Sequence, residues 1–183
     1  MVAIEAAYYF MVPLYIICAV IFLIVKYFKR QEGPAKKKWI DLIFIAYWLG
    51  LIAVTFFPMR IVISDTIVSQ FPLQAYLQMV PFATINGYLL DINFHSMVQL
   101  FGNIIMLMPL AIYLNVFKKW SLKRNILFAF SFSLGIECVQ IVLNLLTRWP
   151  NKVADIDDII CNVAGYMIAL LFVPLAKRIY KAL

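Results

Sequence analysis

Glu137 is the residue with the most chemistry to offer, because it is the single charge in residues 125–147 of a chain whose neighbouring runs are apolar. A charge at mid-membrane costs at least about 2.5–3.5 kcal/mol, so it needs a partner or a wet cavity. Gln140, three residues on, and Ser133, four back, share its helix face. Asn103 lies about two helical turns inside the run 96–117, and Asn162 one turn beyond Asp158 at the head of the last run. These depths bring Glu137, Asn103 and Asn162 from three helices to one level, with Gly102, Gly135 and Gly165 nearby to allow close helix approach. Above that level, 147–158 carries two basic and three acidic residues: Arg148, Lys152, Asp155, Asp157 and Asp158. His95 and Gln99 enter the same rim. Arg148 can grip a phosphate or carboxylate with two prongs, and a desolvated Glu137 can serve as acid or base.

Each of these residues also has a structural reading. Asn103 and Asn162 suit interhelical hydrogen bonds, and Glu137 with Gln140 suits a buried pair. Asp155 and Asp157 suit N-caps of the last helix. His95 suits the membrane interface.

The elements that must hold these residues are membrane helices. Of 183 residues, 65% are hydrophobic and 14% charged, against about 45–50% and 25% in soluble domains. A soluble enzyme, a secreted disulfide domain and a disordered tail are thereby excluded. The expected fold class is all-α: a single transmembrane domain, 1–183, of about five helices near 6–25, 40–59, 96–117, 125–147 and 158–176. The net charge of +7 comes from short basic clusters between apolar runs, which excludes a nucleic-acid partner. Thirteen of sixteen basic residues fall in the first and third connections and after the last run, among them Lys29 and Arg30. By the positive-inside rule the N-terminus is outside and the C-terminus cytoplasmic. The first residues lack the basic n-region of a cleavable signal. The apolar connection 60–95 is expected to lie in the interface, with a short helix bracketed by Pro72 and Pro81. Pro109 is expected to kink its helix. Cys18, Cys138 and Cys161 form no CxxC pair; no metal site and no cofactor are expected.

Several segments, taken in order, resemble the VanZ-like membrane protein family: Val80-Pro81-Phe82, Gly102-Asn103 through Pro109-Leu110, Ser133 through Glu137 and Gln140, Arg148, and Asp155-Ile-Asp157-Asp158 through Asn162 and Gly165. The resemblance covers roughly 80–169, and Ala111 stands where many members have glycine. It implies a bacterial plasma-membrane protein linked to resistance to teicoplanin and related lipoglycopeptides. By motif it carries over Asn103, Glu137, Gln140, Arg148, Asp155, Asp158 and Asn162 as site positions.

The leading functional expectation is a pocket for the polar head of a lipid or lipid-linked cell-envelope precursor, with a lipoglycopeptide as a further partner. In it Arg148 engages an anionic group, while Glu137, Gln140, Asn103 and Asn162 form the floor. The alternative is a membrane enzyme with Glu137 as general acid or base and Asp158 or His95 as partner; no nucleophile motif or phosphate loop supports it. A structural accessory subunit is the third class. Transport is least favoured, since no inverted repeat is visible.

Overall fold

A computed structural model of the chain describes residues 2–4, 7–28, 35–61 and 71–182. Lys29, Arg30 and the stretch 62–70 of the long connection lie outside the described residues. The chain forms two compact units, Met1–Ile61 and Val62–Leu183.

In the first unit, helices α1 (Ala7–Phe28) and α2 (Ala35–Phe56) pack against each other. Strands β1 (Val2–Ile4) and β2 (Met59–Ile61) pair antiparallel, with Ala3 opposite Arg60. Lys37 and the buried Asp41 form an i,i+4 ion pair at 3.2 Å in α2.

The second unit begins with a 3-10 turn (Leu73–Ala75) and the short strand β3 (Leu77–Gln78), then α3 (Ala83–Leu90), α4 (Phe94–Met106) and α5 (Met108–Phe117). It ends with α6 (Leu122–Thr147), β4 (Ala154–Asp155), α7 (Ile156–Leu170) and α8 (Val173–Ala182). Helix α7 is the hub, packing on α3, α4, α5 and α6. Its buried face is Cys161, Asn162, Gly165, Tyr166 and Ala169, spaced as one side of a helix. At Gly165 the backbones of α7 and α4 touch: a Cβ there would fall 1.7 Å from the Ile104 carbonyl oxygen. Gly102 and Gly135 face open space, so of the three glycines expected to admit a neighbouring helix only Gly165 does so.

Helix α6 is inside-out. Its buried positions are mostly polar (Asn125, Ser133, Glu137, Gln140, Asn144, Thr147), while Leu127, Phe130, Val142, Leu145 and Leu146 are exposed. Water would reverse that pattern; hydrocarbon favours it, because polar groups there must pair inside the protein.

Among the described residues, three helical segments are long and apolar enough to cross a membrane: Lys37–Phe56, Phe94–Phe117 and Leu122–Thr147. The pair α7 and α8 makes a fourth if its 50° bend is counted within one span. The last expected crossing is therefore not one straight helix. Pro174 lacks the N–H that would continue the α7 ladder, and the chain turns at Leu171–Phe172. Within α1 the apolar stretch found among the described residues is Pro13–Leu23, shorter than a crossing, whereas α2 of the same unit supplies Lys37–Phe56. The rod Phe94–Phe117 is interrupted at Leu107, two residues before Pro109, where a break was expected.

The helix expected between Pro72 and Pro81 is replaced there by the 3-10 turn and β3, and α3 begins after Pro81 instead. Strand β3 pairs parallel with β4, Leu77 with Ala154 and Gln78 with Asp155. Leu90 and Phe94, at the link from α3 to α4, are 89% and 86% exposed, an outward apolar surface suited to a lipid boundary.

Candidate functional site: a carboxylate cluster at the end of an apolar groove

Three aspartates open α7, and each has a different task. Asp155 caps the helix it precedes: its Oδ1 accepts from the Asp157 N–H at 2.8 Å, and its Oδ2 accepts from the Thr84 hydroxyl at 2.5 Å. Asp157 caps a different helix. Its Oδ1 accepts from the Phe82 N–H at 2.5 Å, and its Oδ2 accepts from the N–H groups of Thr84 and Ile85 at 2.9 and 3.1 Å. Helix α3 has no side-chain cap of its own, so this buried carboxylate satisfies its first amides and sits at the positive end of its dipole. The same contact holds Phe82 at φ 65°, a left-handed conformation uncommon outside glycine. Asp158 accepts a hydrogen bond from the Asn103 side chain, tying α7 to α4.

Glu137 reaches this region from α6. Its Oε2 accepts from the Asp155 N–H at 3.0 Å. One turn deeper, Asn162 donates to the Ser133 hydroxyl at 2.9 Å, while its buried Oδ1 has no hydrogen-bond partner. Gln140 is buried one turn along α6 from Glu137. Near the same end, Tyr88 of α3 is pushed above the usual phenol range, by burial first and then by the negative charges of Asp158 and Asp155. Its hydroxyl therefore stays protonated.

Glu137, Asp155 and Asp158 thus meet at the start of α7, and Asn103 of α4 and Ser133 of α6 bond to that helix, at Asp158 and Asn162. The polar groups do not form one shared floor, however. They make three separate hydrogen bonds: Glu137 with Asp155, Asn103 with Asp158, and Ser133 with Asn162. Arg148 sits about three turns beyond Glu137, exposed, at the left-handed C-cap of α6 with φ 55°. His95 is exposed in the first turn of α4, and no hydrogen bond among the described residues links it to the carboxylates. Among the described residues, no three His, Cys, Asp or Glu side chains are disposed to hold a metal ion.

What the carboxylates do border is a groove of about 750 Å³ between α6 and α7, closed at one end by β3 and β4. Phe130, Leu134 and Ile141 of α6 face Ile159, Ile160 and Val163 of α7 across it, and Glu137 and Asp155 are its ionisable carboxyl groups. The groove suits a hydrocarbon tail; Glu137 and Asp155, 5% and 7% exposed, stand behind its apolar wall.

Sequence reasoning passed over Asn144, which is 1% exposed. Its side chain accepts from the N–H groups of Asn151 and Lys152 at 2.9 and 3.3 Å and donates to the Lys152 carbonyl at 2.5 Å, shaping the turn into β4. The spacing 137, 140, 144 along α6 carries that signal. Also passed over is a buried trio at the opposite end of the unit. Asn115 and Asn125 exchange side-chain hydrogen bonds at 2.8 and 3.1 Å, and the Tyr166 hydroxyl donates to Asn125 at 2.9 Å.

The VanZ/LLP1 family model matches residues 44–177, well over half of the chain and more than the stretch that carried the resemblance. No curated protein and no solved structure matches the chain.

Proposed function

The chain belongs to the VanZ/LLP1 family, and from that premise we propose that it is a multi-pass bacterial plasma-membrane protein that binds a lipid or lipid-linked cell-envelope precursor. The observation carrying this reading is the apolar groove ending at Glu137 and Asp155. A tail lies between α6 and α7, and hydroxyl or amine groups of the head donate to the carboxylates. Arg148, about three turns beyond Glu137 at the end of α6, would engage an anionic group of the ligand. Binding there alters how teicoplanin and related lipoglycopeptides meet their target at the cell surface. The proposed topology has five crossings, the N-terminus outside and the C-terminus in the cytoplasm, supported by the placement of basic residues.

Ala164 also lines the groove, so Ala164→Phe fills it, and Glu137→Gln exchanges the carboxyl group for an amide. At matched expression, both variants are expected to lose lipid retained through purification, measured by mass spectrometry, and to change teicoplanin susceptibility. Unaltered lipid and susceptibility in Ala164→Phe would remove the groove from the function. A second reading, a membrane enzyme with Glu137 as general acid or base and Asp158 as partner, draws on the Glu137–Asp155 hydrogen bond and on Asp158 lying in the first turn of the helix that Asp155 caps. A new lipid-precursor mass that depends on Glu137 separates catalysis from binding.

A further inference from the structure

At the other end of the same unit, α5 gives way to α6 through Lys118, Lys119 and Trp120, and α8 packs beside them. These residues surround a second cavity, of about 340 Å³. Its floor holds the buried Asn115 and Asn125 amides, which are occupied with each other, with the Ala111 and Ser121 carbonyls and with Tyr166. Its rim carries the ammonium groups of Lys118, Lys119 and Lys177.

Two features make this more than a solvated basic face. The first is charge without a counter-charge. No acidic residue occurs between Asp91 and Glu137 or after Asp158, so every element meeting at the cavity lacks a carboxylate there. The second is the neighbouring surface. Leu122 lines this cavity and also a shallow apolar groove of about 450 Å³ along α6, past Ile126 and Leu127 to Phe130. Trp120 stands at the junction with the Arg124 guanidinium 4.4 Å from its ring centre, as interface tryptophans do. A cationic recess opening onto a strip of apolar side chains matches a phosphodiester with an attached acyl chain.

We propose that this cavity binds the headgroup of an anionic phospholipid, with one acyl chain laid along α6. Lys118, Lys119 and Lys177 neutralise the phosphate, and the saturated Asn115–Asn125 pair supplies a rigid floor. The headgroup cavity shares no lining residue with the carboxylate-bordered groove, which the acyl strip meets only at Phe130, and the proposal does not depend on the function proposed for that groove. In the orientation proposed above it faces the cytoplasmic leaflet, where basic recesses between helices gather anionic lipid.

The test is a thermal-melt titration of the full-length protein in neutral detergent, with phosphatidylglycerol, phosphatidylcholine or inorganic phosphate as the additive. Phosphatidylglycerol should raise the melting temperature and phosphatidylcholine should not. Replacing Lys118, Lys119 and Lys177 together by Gln should weaken the apparent affinity about a hundredfold, at roughly one lysine's contribution each. Replacing the same three by Arg should preserve it. Equal responses to the two lipids, or a Gln variant that keeps the phosphatidylglycerol response, would overturn the proposal. Inorganic phosphate reproducing the full rise would overturn the lipid as occupant. If the Gln variant does not fold, high salt must abolish the wild-type response to phosphatidylglycerol; a salt-independent response counts against the site.

Discussion

At the scale of single residues, Asp157 and Gly165 carry more of the structure than their types announce. Asp157 looks from the sequence like a cap for its own helix, since it lies at that helix's start. It caps α3 instead, across 75 residues of chain. Local spacing does not reveal that, because the partner amides belong to a segment whose fold depends on the contact. Asp157→Asn keeps the shape but weakens acceptance from three N–H groups, with an expected loss of about 2 kcal/mol. A lower melting temperature in detergent, with faster hydrogen exchange in 82–90 than in α6, is the outcome to look for. Gly165→Ala is expected to be worse: its Cβ would overlap the Ile104 carbonyl, and the backbones must separate. A cost of about 3 kcal/mol or more is expected, whereas Gly102→Ala and Gly135→Ala should change the melting temperature little. The sequence offers all three glycines as equals, since close approach depends on which face meets a neighbour.

At the scale of elements, the apolar runs and the break near Pro109 were readable, because hydropathy and proline act locally. The polar stripe of α6 was readable only in part. Glu137, Gln140 and Ser133 stood out, but Asn125 and Asn144 lie near the run's ends, where polar residues draw no notice. The fold of 71–82 was not readable, since its strand pairs with residues near 154. The stripe's value can be measured at its far end with a double-mutant cycle of Asn115→Ala and Asn125→Ala. The expected coupling is about 0.6 kcal/mol and at most about 1.7, as for interhelical hydrogen bonds in lipid. A coupling near zero would mean that the two amides act independently of each other.

For the whole molecule, the membrane class followed from composition alone, whereas the bend between α7 and α8 needed coordinates. The orientation rests on the basic clusters, and a topology reporter fused after Leu183 should give its signal in the cytoplasm; an external signal would invert every leaflet assignment. The inside-out α6 also bears on biogenesis. The groups that satisfy Glu137, Ser133 and Asn125 include Asp155, Asn162 and Tyr166, all of which leave the ribosome later than α6 itself. A nascent α6 released alone into hydrocarbon would leave Glu137 without the Asp155 N–H and Ser133 without Asn162, while Asn125 could still pair with Asn115 and the Ser121 carbonyl. Entry of α6 into hydrocarbon together with α7 would bring Asp155 and Asn162 to Glu137 and Ser133 in the same step.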